Sequence, residues 1–187
     1  MFIQMPNNQQ TVSNDSQHKV DAGNFRMLGI DPGFGRTGLG VVDFSKNKIF
    51  HVWHTCIDTP SDAPFTDRLQ TVRNDIMEAI RRFQPNVAAV EQLFFQTNVK
   101  TAINVGMARG VILLTLADAS LPVVELTPNQ VKQSVAGHGG ADKKQIQAMV
   151  KKILRLNEIP KPDDAADALA IAISGGYIFQ TKSRQNA

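Results

Sequence analysis

Four carboxylates carry residue types and positions that can do chemistry. Asp31 closes the apolar run Met27–Ile30 in "MLGIDPGFGRTG", Glu91 follows the apolar run Val87–Val90, and Asp164 and Asp167 lie in "PDDAADALAIAI". Singly, each has an ordinary role. Asp-Pro-Gly is a common turn, an acid often marks the point where a buried strand meets solvent, and an aspartate in a first helical turn favours the helix dipole by about 0.3–1 kcal/mol. Jointly they point further. In an open α/β sheet the ligand crevice lies beyond the carboxyl ends of the strands, where Asp31 and Glu91 are both expected. Asp164 and Asp167 are three residues apart and so share a helix face, while Ala165, Ala166 and Ala168 let that helix approach a sheet closely. Four carboxylates in one crevice repel unless divalent cations neutralise them. An oxygen-only donor set, with no cysteine and no histidine cluster, selects Mg²⁺ or Mn²⁺ rather than zinc. Two such ions about 3.5–4 Å apart can activate a water and steady the leaving oxygen of a phosphodiester, so phosphodiester hydrolysis is the chemistry expected.

The elements that must position these acids can be read from periodicity. Met27–Ile30, Gly38–Phe44 and Lys48–Ile57 are apolar, β-branched or aromatic runs with short connections, which predicts a three-strand meander. Leu69, Val72, Ile76, Ile80 and Phe83 recur at a helical period and predict an amphipathic helix from Thr66 to Phe83, ended by Pro85. "VAAV" at 87–90 reads as a central buried strand. Thr101–Ala119 is a second helix, narrow at Gly106, Ala108 and Gly110, and Pro122–Leu126 is a fifth strand. "TPNQ" then opens a short helix with a threonine cap, proline in the first turn and a capping-box glutamine. After the glycine loop Gly137–Gly140 come helices from Asp142 to Leu156 and from Asp163 or Asp164 to Ile178, separated by Pro160 and Pro162. The order βββ-α-β-α-β-α-α-α is that of an α/β domain on a mixed five-stranded sheet.

Composition narrows the class. A chain of 187 residues suits one domain, and 42% hydrophobic with 20% charged residues is ordinary for a soluble fold. No stretch offers the roughly 18 apolar residues a membrane span needs. The net charge of +3 permits a polyanionic partner without demanding one. Cys56, the single cysteine, allows no intramolecular disulfide and fits a reducing, cytoplasmic setting. Residues 1–25 are rich in Asn, Gln, Ser and Asp, carry no signal or transit pattern, and are expected to form a disordered arm; Met27 offers an alternative start. The expected domain spans 26–179, followed by a polar tail at 180–187.

Several motifs, in order and spacing, resemble the RuvC-type crossover junction endodeoxyribonucleases, the bacterial Holliday-junction resolvases. They are "GIDPGFGRTGLGV", "AVEQLFF", "NVGMARGV", "VKQSVAGHGGADKKQIQAMV" and "DDAADALAIAI", together covering Met27 to Ile178. The resemblance implies an RNase H-like fold, a homodimer, and Mg²⁺-dependent paired nicking of four-way DNA junctions during recombination and repair, leaving ligatable 5′-phosphate ends. It implies two Mg²⁺ per active site, with Mn²⁺ as a substitute. Asp31, Glu91, Asp164 and Asp167 match the family's acidic metal-binding tetrad. Lys132 and Lys143 match basic residues that act on DNA or the scissile phosphate, and Phe94 matches an aromatic that stacks near the opened junction centre. A branch-migration helicase complex (RuvA/RuvB-like) and a nucleoid-associated location follow from the family alone. Phe34 and Met107 depart from the small or polar residues that related sequences often carry; Phe34, beside the site, bears on local DNA contacts.

Other polar residues have plainer readings. By composition alone Lys132, Lys143 and Lys144 are solvated helix lysines, and Phe94 and Phe95, near Asn98 and Lys100, are core rings. An exposed aromatic beside cations would instead stack on a base for about 1–3 kcal/mol, and Phe94 is the one expected to be exposed. Arg109 reads as a structural or dimer-face cation, and His138 as a solvated loop residue. His51 and His54, three apart on a strand, are expected on opposite faces, unable to share a metal. Two other functions compete. An actin-like or sugar-kinase-like ATPase shares the strand-Asp-glycine opening but needs a second lobe, and a non-catalytic junction-binding protein would have lost its acids.

Overall fold

Side-chain alternation along the first strands decides which residues meet which helix. β1 (Asn24–Asp31), β2 (Arg36–Ser45) and β3 (Lys48–Asp58) pair antiparallel as the expected meander. α1 (Phe65–Phe83) leads to β4 (Val87–Glu91), which lies parallel to β1, and α2 (Val99–Asp118) leads to β5 (Val123–Leu126), parallel to β4. α3 (Pro128–Ala136), α4 (Lys143–Ile153) and α5 (Asp163–Gln185) follow. The structure is a computed structural model that describes residues 20–46, 48–92 and 99–185. Its mixed five-stranded sheet, ordered β3-β2-β1-β4-β5, has the RNase H-like arrangement. Among the described residues no helix is long and apolar enough to cross a membrane.

Each face of the sheet has its own core. Leu28, Ile30, Leu39, Val41, Ala88 and Val90 point toward α1 and α2, where Val72, Ile76, Ile112 and Leu116 close the layer. Met27, Val42, Phe44, Val87 and Ala89 point the other way, to α3, α4 and α5. By the two-residue period Gly29 and Asp31 share the α5 face with Met27, as Glu91 shares it with Val87 and Ala89. Opposite them on β2 stand Gly40, paired with Gly29, and Gly38, paired with Asp31. A side chain at Gly29 would collide with the backbone of Ala168 and Ala172, and one at Gly38 with the Asp164 carbonyl; at Gly40 it would come 2.8 Å from the Leu169 nitrogen. α5 therefore rests on a floor of glycine backbone, with Ala165, Ala168 and Ala172 fully buried against it.

Local signals set most boundaries. Thr127 and Gln130 cap α3 reciprocally, and Gly137 ends it with a φ of 82°. α4 has a second capping box, Asp142 with Gln145, and stops at Ile153 rather than Leu156. α5 continues to Gln185, past the expected end at Ile178 and into the stretch expected as a tail. β1 begins at Asn24, so the last residues of the expected arm belong to the sheet: Phe25 is buried, stacked on Phe44 at 4.7 Å. Residues 1–19 lie outside the described residues.

One strand-parity expectation is corrected. β3 pairs Trp53 with Val41 but His51 with Val42, so Val52 is an extra residue, a bulge. The bulge flips the alternation, and His51 and His54 meet on one face with Nε2 and Nδ1 2.7 Å apart. Burial lowers the pKa of both imidazoles, which favours their neutral forms.

The glycine floor gives a test. Gly38→Ala should destabilise the fold by about 1–3 kcal/mol in urea unfolding, because its methyl group must displace the first turn of α5.

Candidate active site

Asp31 is the last residue of β1, and the loop after it is tied down from three sides. The Thr37 hydroxyl donates to the Gly33 carbonyl at 2.8 Å. The Phe34 carbonyl accepts from the Thr59 hydroxyl at 2.6 Å and from Arg68 Nη2 at 3.1 Å. The Arg68 guanidinium lies 3.6 Å over the Phe34 ring, which also stacks on Phe65. Phe34 thus packs on α1 through Phe65 and Arg68, which gives it a role in holding the loop. Arg68 is only 9% exposed. The sequence reading passed over it although it precedes Val72 by four residues and Ile76 by eight, on the buried stripe of α1.

Glu91 ends β4, where Gln92 N–H donates to the Leu126 carbonyl at 2.7 Å. Arg109, on α2, donates from Nε to the Glu91 carbonyl at 3.3 Å and pairs with Glu125 of β5. Its role, left open by the sequence, is to brace the ends of β4 and β5 from α2.

α5 brings the other acids in its first turn and a half. Lys143, at the start of α4, reaches Asp163 at 2.7 Å and Asp167 at 3.0 Å. Arg36 Nε stands 3.2 Å from Asp164 Oδ2 and 3.2 Å from Asp58 Oδ1, and the Cys56 thiol is 4.0 Å from Asp164 Oδ2. Asp163, Arg36 and Asp58 had not been singled out: exposed charges have no periodicity to mark them.

The electrostatics join the four acids. Asp31 is pushed up to about 7, first by burial, then by the charges of Glu91, Asp167 and Asp164, with Lys143 opposing. Burial and the Asp167 charge raise Glu91 to about 7 against the pull of Lys132. Asp167 is raised by burial in spite of Lys143, while Lys143 holds Asp163 below the usual carboxylate range. Among the described residues no group of three or more His, Cys, Asp or Glu side chains is arranged to hold a metal ion. Lys143 and Arg36 stand at two of the carboxylates instead. A half-buried, mutually repelling, oxygen-only set is short of positive charge, and its chemistry fits a hard divalent cation.

A profile of the family described as "Crossover junction endodeoxyribonuclease RuvC" matches residues 27–175. That span holds all four acids. The chain belongs to the RuvC family. It is 53% identical over 160 residues to the crossover junction endodeoxyribonuclease RuvC of Thermotoga petrophila, covering 86% of this chain and 96% of that one. The RuvC of Desulfitobacterium hafniense is 54% identical over 158 residues, covering 84% and 96%. The structure of T. thermophilus RuvC in complex with a Holliday junction substrate superposes with a TM-score of 0.80 at 36% identity, covering 85% of this chain and 97% of that one. Membership makes the chain an endodeoxyribonuclease of crossover junctions, and the family is one of metal-dependent nucleases.

The remaining candidates are placed less centrally. Lys132, on α3, is near enough to Glu91 to pull its pKa down, and His138 is exposed in the glycine loop. Phe94, Phe95 and Asn98 lie outside the described residues.

The raised acids predict a pH dependence in the metal-free chain. Asp31 and Glu91 bind more protons folded than unfolded between about pH 4 and pH 7, so their contribution is greatest at the acid end and is lost as pH rises through about 7. In EDTA, Asp31→Asn should match the wild type only below about pH 4, already exceed it by about 1–2 kcal/mol near about pH 5, and exceed it by about 3–4 kcal/mol near about pH 8, measured by urea unfolding.

Proposed function

We propose that residues 26–179 form a structure-selective nuclease domain that resolves four-way DNA junctions by paired, symmetric phosphodiester hydrolysis. The observation that carries this reading is the meeting of Asp31, Glu91, Asp164 and Asp167 in one field, with two of them raised to about 7. Those four would hold the metal, Mg²⁺ in pairs with Mn²⁺ as a substitute. Bound cations supply the charge that activates water and stabilises the leaving oxygen.

The side chains divide the remaining work. Asp31, at the end of β1 and coupled to the three other acids, is the central ligand. Lys143 stands at the rim beside Asp167, where it can meet the scissile phosphate, and Lys132 adds positive charge near Glu91. Phe94 is assigned to stacking on bases at the opened junction. The loop clamp of Phe34, Thr59 and Arg68 keeps Asp31 from drifting, and Arg109 does the same for the end of β4.

A symmetric substrate calls for a symmetric enzyme, and α2 carries a surface suited to one. Ile103, Met107 and Leu114 are at least half exposed and, with Gly110, lie along one face of the helix. Apart from its chain neighbours and the backbone of α2 itself, no heavy atom of the described residues lies within 4 Å of where a Gly110 side chain would begin, so a second α2 can approach closely. We assign this face to a homodimer, whose two-fold axis would present one site to each of two equivalent strands. A cytoplasmic, nucleoid-associated location and work beside a RuvA/RuvB-like branch-migration helicase complete the reading. The non-catalytic alternative loses ground because the acids are all present. The ATPase alternative is not favoured by the match to crossover junction endodeoxyribonucleases over residues 27–175.

The central test uses a synthetic mobile four-way junction with Mg²⁺ or EDTA. Paired nicks that ligase can seal are expected with Mg²⁺ and none with EDTA. Asp31→Asn should lower cleavage by at least about 10³-fold while junction affinity stays within about threefold; full activity would overturn the metal assignment. Leu114→Glu should convert the dimer to a monomer in sedimentation analysis, whereas an unchanged dimer would remove α2 from the interface.

A further inference from the structure

We infer that Arg36 is a positioning residue that stands in for a metal ion at Asp164: it holds that carboxylate when no cation is bound and yields it to an incoming cation while keeping its contact with Asp58. The inference rests on the assignment of Asp164 to a metal site.

The geometry places one guanidinium nitrogen against two carboxylates at once. Arg36 Nε is 3.2 Å from Asp164 Oδ2 and 3.2 Å from Asp58 Oδ1, while Nη1 is 3.8 Å from Asp163. Arg36 and Asp58 are cross-strand partners at adjoining ends of β2 and β3, so Asp58 stays within reach whatever Asp164 does. Releasing Asp164 while keeping Asp58 needs only side-chain rotation. With its side chain 45% exposed and that of Asp58 73% exposed, Arg36 gives up little burial by moving.

The chemistry explains why a stand-in is useful. Asp164 is coupled to Asp31 and Asp167, and without a cation their mutual repulsion opposes close packing of α5 against Asp31. Lys143 answers that repulsion at Asp167 and Arg36 answers it at Asp164, and both also reach Asp163. A guanidinium stays charged at any physiological pH, so protonation cannot remove it. It must be displaced, and it therefore competes with the metal for Oδ2. Arg36 helps to keep the acids assembled and at the same time lowers their affinity for cations.

Mn²⁺ titration of the DNA-free protein by calorimetry reads this directly. Asp31→Asn serves as the reference for a disabled site. Arg36→Gln should bind Mn²⁺ about 3–10-fold more tightly than the wild type, because the competitor is gone. Asp58→Asn should weaken binding about 2–5-fold, because Arg36 loses its second carboxylate. In the Arg36→Gln background, Asp58→Asn should change nothing further. Unchanged or weaker binding by Arg36→Gln overturns the inference, as does an Asp58→Asn effect that persists without Arg36. If the wild type shows no saturable Mn²⁺ binding that Asp31→Asn removes, the metal assignment itself fails and this inference with it. Both side chains are exposed, so far-UV circular dichroism should show all variants folded.

Discussion

The close contact between α5 and the glycine floor of β1 and β2 is the constraint on which the site depends. Gly29, Gly38 and Gly40 leave no side chain between sheet and helix, and Ala165, Ala168 and Ala172 leave almost none from the other side. The backbone of α5 therefore comes down onto the strands at the level of Asp31, and its first turns carry Asp164 and Asp167 there with it. Larger residues along this line would lift the helix and separate the acids. The small residues contribute little apolar area each; their value is the distance they permit.

That closeness creates an electrostatic cost. Burial and neighbouring charge raise Asp31 and Glu91 to about 7, so the ionised site works against the fold that assembles it. Lys143 and Arg36 offset part of the repulsion, and the loop and strand ends are held by contacts that carry no metal-binding function. Arg68 under Phe34 and Arg109 under Glu91 are of this kind. The acids are thus close enough to feel one another, and two cationic side chains offset their field only in part.

The sequence expressed the parts of this arrangement that depend on local physics. Alternation in Met27–Ile30 and Val87–Val90, the helical period through Val72 and Ile76, and the Thr127–Gln130 cap all follow from near neighbours. The extra residue at Val52 did not show itself, because a bulge is defined only by the partner strand; hence the wrong parity for His51 and His54. Arg68 and Thr59 were missed for a related reason. They act on a loop many residues away, and an isolated Arg or Thr has no local signature for that task.

By itself, then, the chain determined its elements, their order, and the acids at β1, β4 and α5, since strand and helix periods are written in the residue types. Motif order and spacing also pointed to the RuvC family. Only the tertiary structure decided which cation faces which carboxylate, how Phe34 turns, and that Arg36 stands midway between Asp58 and Asp164. Those outcomes depend on distances between segments far apart in the chain, and such distances are set by packing rather than by any local pattern.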